Sequence, residues 1–227
     1  MAMPTSAFLD YVDPWINWAW LSTHVRLFTD ALQQHLLLTA IAVAGGLALS
    51  FPMGIAAHRW PSLRNPILAV FGVVYTIPSL ALFALLVPYT GLGIVTAEIG
   101  LIGYTILILV RNLLIGLESV PPEVLDAADG MGYRPVARLL RVELPLALPA
   151  IFAGVRIATV TTIGLVTITA LIGLGGLGQL INRGLIENFH TPLVVGTVLS
   201  ITLALVADLV LIGVQRIAIP WSRDTTG

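Results

Sequence analysis

The chain has 227 residues, 57% of them hydrophobic and only 10% charged, with a formal net charge of −1. Soluble domains carry about 25% charged residues, and a single domain of this length cannot fold so much apolar surface away from water, so lipid is its solvent. The near-neutral charge excludes a nucleic-acid partner. The lack of any Cys excludes disulfides and thiolate sites. The lack of any Lys excludes a standard P-loop ATPase, whose Lys contacts the phosphates, so any ATP used is hydrolysed by a partner.

Met1 to Asp13 has no basic segment, and Asp10 and Asp13 interrupt its apolar residues, so it does not read as a secretory signal. Thr23 to Gln34 places Val25, Phe28 and Leu32 on one side. It reads either as an amphipathic helix on the outer surface, within an interfacial segment 1–34, or as an extension of the first span. A span needs about 20 mostly apolar residues. Five segments qualify: Leu36–Ala57, Pro66–Val87 with Pro78 inside it, Ile99–Leu117, Pro149–Ile172 and Leu193–Ile212. The expected fold is therefore all-α and integral to the membrane, with about five transmembrane helices.

Arginine sets the orientation. Arg59, Arg64, Arg134, Arg138, Arg141, Arg216 and Arg223 fall in segments that share one side, with Arg111 and Arg156 at span ends facing it. Arg26 and Arg183 fall on the other side. Nine against two puts the N-terminus outside and the C-terminus inside. Trp15, Trp18, Trp20, Trp60 and Trp221 all flank spans, where an indole suits the headgroup region.

The inside loop, 119–148, reads VPPEVLDAADGMGYRPVARLLRVELPLALP from Val120 to Pro149. Pro122 suits a first helical turn. A short helix runs to about Met131, Gly132 breaks it, and Pro135 starts a second short helix that ends before Pro145. Asp126-Ala127-Ala128, three residues, Gly132, nine residues and Val142-Glu143-Leu144-Pro145 together resemble the cytoplasmic signature of ABC importer permeases, with Asp for Glu and Val for Ile. Tyr75-Thr76-Ile77-Pro78-Ser79-Leu80-Ala81-Leu82, Val110-Arg111-Asn112, the run Val142 to Val160 and Ile172 to Ile181 are similar to permeases for glycine betaine, choline and carnitine. Together these cover about Leu36 to Ile212.

The resemblance implies a type I importer permease in a bacterial or archaeal inner membrane. Its loop would couple to a separate ATPase through Glu123, Asp126, Ala127, Ala128, Gly132, Arg138, Leu144 and Pro145. It implies a second permease copy or paralogue, two ATPase subunits that hold ATP and magnesium, and an extracellular binding protein that delivers the solute. The chain itself would bind no cofactor and perform no chemistry. ATP binding would draw the two loops together and open the permease outward, and hydrolysis would reset it.

Other residues carry weaker signals. Pro78 frees a helical carbonyl, a break tolerated in lipid where protein or a cavity satisfies the backbone. With Tyr75, Thr76 and Ser79 it marks a translocation path, against a plain packing kink. Gly173, Gly175, Gly176 and Gly178 mark a gate or a seam, against a flexible exit loop. Arg111, Arg156 and Asp208 read as structural ion pairs. His35 and His190 read as interfacial, and no residue grouping has metal spacing. A methionine-type permease would share the glycine-rich run. An ion-coupled secondary transporter would need inverted repeats and midplane ionisable groups, but the charges here are expected near span ends. A membrane anchor would not need the Pro and Gly breaks.

With single cysteines at Ser6→Cys, Ser62→Cys and Thr226→Cys, an impermeant thiol reagent added outside whole cells should label only the first. Labelling at position 62 would reverse the assigned orientation.

Overall fold

The structure, a computed structural model, describes residues 14–220. The segment Met1 to Asp13, Trp221, Arg223 and Thr226 lie outside the described residues. Four helical runs among the described residues are long and apolar enough to cross a membrane. They are α2 (Val25–Arg59), α5 (Ile94–Glu118), the run Pro135–Ile172 and α10 (His190–Ala218). A fifth is a broken pair, α3 (Pro61–Thr76) and α4 (Ser79–Thr90), bent by 99°. The remaining elements are α1 (Trp18–Thr23), α6 (Pro122–Gly130), α7 (Pro135–Arg138), α8 (Leu144–Ile168) and α9 (Leu177–Ile186). Only helices satisfy their own backbone in lipid without closing a barrel.

Helix α2 settles the two readings of Thr23 to Gln34. Val25 to Arg59 is one continuous helix, so the segment extends the first span and does not form a separate surface helix. Phe28 on this extension packs with Leu177 and Leu180 of α9.

The broken pair departs from the expected single span. Pro78 pushes the preceding residue out of the helical region, and Ile77 is extended at φ −66°, ψ 127°. The turn is therefore a corner. The Tyr104 hydroxyl of α5 donates to the Ile77 carbonyl and holds the corner against α5. Beyond it, Phe83 of α4 is fully buried and fills the space above Gly100.

The loop also differs from expectation. The helix that Pro135 opens does not stop before Pro145. It runs through a π-turn, Leu139–Glu143, directly into α8, where Leu144 N–H donates to Leu139 C=O. A π-turn absorbs one extra residue, and Pro145 falls in the first turn of α8, where its missing N–H matters least. The fourth span therefore starts at the loop, and Arg156 lies at the midpoint of α8, twelve residues from Leu144 and twelve from Ile168. It is not a span-end charge. His35 is likewise not interfacial: it is fully buried, and its Nε2 donates to the Ile163 carbonyl at 3.0 Å.

Helix α5 is the most buried of the candidate spans, and the others approach it through small residues. A Cβ on Gly46 would stand 2.0 Å from Thr105 Oγ1, and one on Gly154 would stand 2.5 Å from Asn112 Cβ. Replacing Gly46 by Val should force α2 away from α5 at a cost of about 1–3 kcal/mol, read as a lower melting temperature in detergent. Gly72→Val, where a Cβ meets nothing within 4 Å, should leave it unchanged.

Candidate functional site: the loop end and the glycine turn

At one end of the bundle the loop is fixed by a knot of charges. Arg138 donates through Nε to Glu143 Oε1 at 2.9 Å and through NH1 to Asp129 at the end of α6. His58, in the last turn of α2, lies 3.2 Å from Glu143 Oε2. The Glu143 side chain is only 4% exposed, so these partners satisfy an acid that would be costly to bury alone. Across the same end, Arg64 of α3 pairs with Glu118 of α5 at 2.6 Å. Arg138 was expected in the loop; its pairing with Asp129 and Glu143, and that of Glu143 with His58, was not, because the partners come from different elements.

Glu123, Asp126 and Ala127 share an exposed face of α6, at the i, i+3, i+4 spacing of one helix side. Met131, Val136 and Leu140 are exposed apolar side chains on the same loop, at 70%, 70% and 56%. Ala128 points the other way. It is 1% exposed within this chain alone, and its carbonyl accepts from Tyr133 N–H. The expectation that Ala128 lies on the outer face is corrected: it packs the loop against its own chain. Gly132 takes φ +81°, and a Cβ there would meet nothing within 4 Å, so it is required for backbone conformation and not for space. Leu144 and Pro145 begin α8 and are not part of the outer face.

At the other end, Gly173, Gly175 and Gly176 all take positive φ and turn the chain from a 3-10 segment, Thr169–Ile172, into α9. Gly176 N–H donates to Gln34 Oε1 at 2.9 Å. A Cβ there would stand 2.6 Å from the Ala31 carbonyl, and one on Gly178 would stand 2.2 Å from the Thr167 carbonyl. Gly175, Gly176 and Gly178 are buried and Gly173 is exposed. At the corner, Tyr75, Thr76 and Pro78 are exposed and Ser79 is half-buried, with the Thr76 hydroxyl donating locally to Val73 C=O. The corner and the glycine turn meet through one core cluster that contains Phe83 and Ile172.

The ionisable groups sort differently from expectation. Asp208 is held by Arg156 in a bidentate pair, with Nε to Oδ1 at 2.8 Å and NH2 to Oδ2 at 3.0 Å. Arg111 takes no part: it is exposed and makes no ion pair among the described residues. It sits in α5, seven residues before Glu118. Glu98 was missed altogether. It is 8% exposed in α5 and both its oxygens lack a hydrogen-bond partner, and a lone Glu at the start of an apolar run gives no sequence signal.

The family model for "Binding-protein-dependent transport system inner membrane component" matches residues 46–216, from the middle of α2 to the end of α10. The chain belongs to this family. Among inner membrane components of this kind, it is 38% identical to the osmoprotectant import permease protein OsmW of Salmonella typhimurium, over 82% of this chain and 89% of that protein. It is 36% identical to the choline transport system permease protein OpuBB of Bacillus subtilis, over 81% and 84%. It is 41% identical to the ergothioneine transport permease/ergothioneine binding protein EgtU of Helicobacter pylori, over 74% of this chain but 31% of that longer protein. The fold is that of a chain of the inward-facing MetNI methionine ABC transporter, with a TM-score of 0.76 at 20% identity over 86% of this chain and 97% of that one. The family is a transport component of the membrane.

Arg138→Met should leave Glu143 with His58 alone and destabilise the loop by about 3 kcal/mol. Arg138→Lys, a charge without the planar fork, should recover part of this. Thermal melting of the purified permease measures both.

Proposed function

We propose that this chain is the membrane subunit of an ATP-driven importer for osmoprotectants, the class that includes the glycine betaine, carnitine and choline named for its relatives. Two such permeases, identical or paralogous, pair in the inner membrane with the N-terminus outside and the C-terminus inside. Each loop docks on an ATPase subunit that holds ATP and magnesium, and an extracellular binding protein delivers the solute. The observation that carries this reading is the outer face of the loop. Glu123, Asp126 and Ala127 stand exposed beside Met131, Val136 and Leu140, and exposed apolar side chains in such a cluster mark an interaction surface. The charge knot of Arg138 and Glu143 keeps this face rigid against α8, so force from an ATPase reaches the spans. The Arg distribution supports the orientation: Arg59, Arg64, Arg134, Arg138, Arg141 and Arg216 belong to the loop side, and Arg26 and Arg183 to the other.

The decisive experiment is co-purification with an ATPase, followed by uptake in liposomes with the binding protein present. Ala127→Glu and Met131→Glu should lose most of the bound ATPase, because each would bury a carboxylate at the dock without a counter-charge. Both should still insert, since insertion depends on the apolar spans. Full retention of the ATPase by both variants would remove this face from the interface.

A further inference from the structure

We propose that Arg156 and Asp208 form a solute contact site in the membrane, one that takes a small zwitterion or organic cation. The inference rests on the importer reading and names a place where the solute touches the permease.

The ion pair joins the midpoint of α8 to α10. Twelve residues from either end of α8 is about 18 Å along its axis, a little over half of the roughly 30 Å bilayer core, so a helix of this length that spans the core carries Arg156 in the core's interior. Charged groups at that depth face protein or water and not lipid. Yet this pair is not enclosed: its two side chains remain 30% and 31% exposed, and they line an open cleft of about 380 Å³. A second groove runs along the other side of the α8–α10 seam, lined by residues such as Leu36, Ala40, Val43, Leu203 and Val210, and it carries no charged group. That groove suits hydrocarbon and the cleft does not. The contrast assigns the cleft to an aqueous path.

The chemistry of the cleft selects the solute. Arg has five N–H donors, and Asp208 uses only two of them. Each Asp208 oxygen accepts one of these bonds and keeps further acceptor capacity. The pair therefore presents a positive and a negative pole together without having to separate. A zwitterion aligned antiparallel to it would place its carboxylate at Arg156 and its ammonium at Asp208. Ala153, Ile157 and Val160 supply aliphatic walls, which suit a methylated ammonium that has no N–H to donate. The cleft volume falls within the range of about 300–1,000 Å³ usual for small-molecule sites.

The test uses the whole transporter in liposomes, with its ATPase and binding protein, and labelled glycine betaine and choline as probes. Arg156→Gln should lower glycine betaine uptake about tenfold, the loss of one charge-assisted contact, and spare choline, which has no carboxylate. Asp208→Asn should lower both. The charge-swapped double variant, Arg156→Asp with Asp208→Arg, rebuilds the bridge between α8 and α10 with its poles reversed. It should co-purify with the ATPase yet fail to restore the original preference between the solutes. A parallel fall of both solutes in Arg156→Gln, or full recovery of both in the swapped variant, would reduce the pair to a structural brace and overturn the site. Failure of the unaltered transporter to import either solute would instead sink the importer reading, before any substitution is compared.

Discussion

Close approach of backbones to α5 is the constraint on which the rest of the structure depends. Inside lipid, apolar side chains gain nothing from one another that hydrocarbon does not already give, so helices associate through tight packing and polar contacts. The glycines of this chain sit where that packing is closest. Gly46 and Gly54 bring α2 against Thr105 and Leu113, Gly100 admits the ring of Phe83, and Gly116 brings α5 against Ala147 and Ala150 of α8. With α5 held on three sides, the broken pair α3–α4 has a wall to turn against, and the polar groups that tie its corner can be few. Tyr104 and its contact with Ile77 suffice.

Much of this was legible in the sequence. Apolar length found the four long spans and the region of the broken pair, since a mostly apolar run of about 20 residues has few other uses. The loop announced itself through Pro122, Gly132 and the fixed spacing between Ala127, Ala128 and Pro145. What was not legible depends on direction and depth. Ala127 and Ala128 are chemically identical, and only the packing of α6 turns one outward and the other in. Pro145 looked like a helix stop because the π-turn that bypasses it has no residue signature of its own. That same bypass moved the start of α8 and so moved Arg156 from a span end to its midpoint. His35 looked interfacial from its polarity, but a carbonyl 128 positions away in sequence accepts its proton in the core.

Polar groups in the described spans follow a consistent rule. Threonine hydroxyls mostly return to carbonyls three or four residues back, as Thr76, Thr159 and Thr197 do. This satisfies them within their own helix and asks nothing of the neighbours. Two of those that reach between elements, Asn17 to Thr191 and Gln34 to Gly176, lie at the glycine-turn end and tie α1 and α2 to α9 and α10. That end is fastened by neutral hydrogen bonds and the loop end by charges.

The continuity of Pro135 to Ile172 has a mechanical consequence. Thirty-eight residues without a break make a rod about 57 Å long at 1.5 Å per residue. Its outer tip is the 3-10 segment that leads into the glycine turn, and its inner tip is the loop itself. If such a rod pivots about Arg156, where Asp208 ties it to α10, a tilt of about 10° swings the outer tip by about 4 Å. No bond need form or break along the way. The π-turn, by keeping the rod whole where a proline would have severed it, makes the loop and the far side of the membrane two ends of one lever.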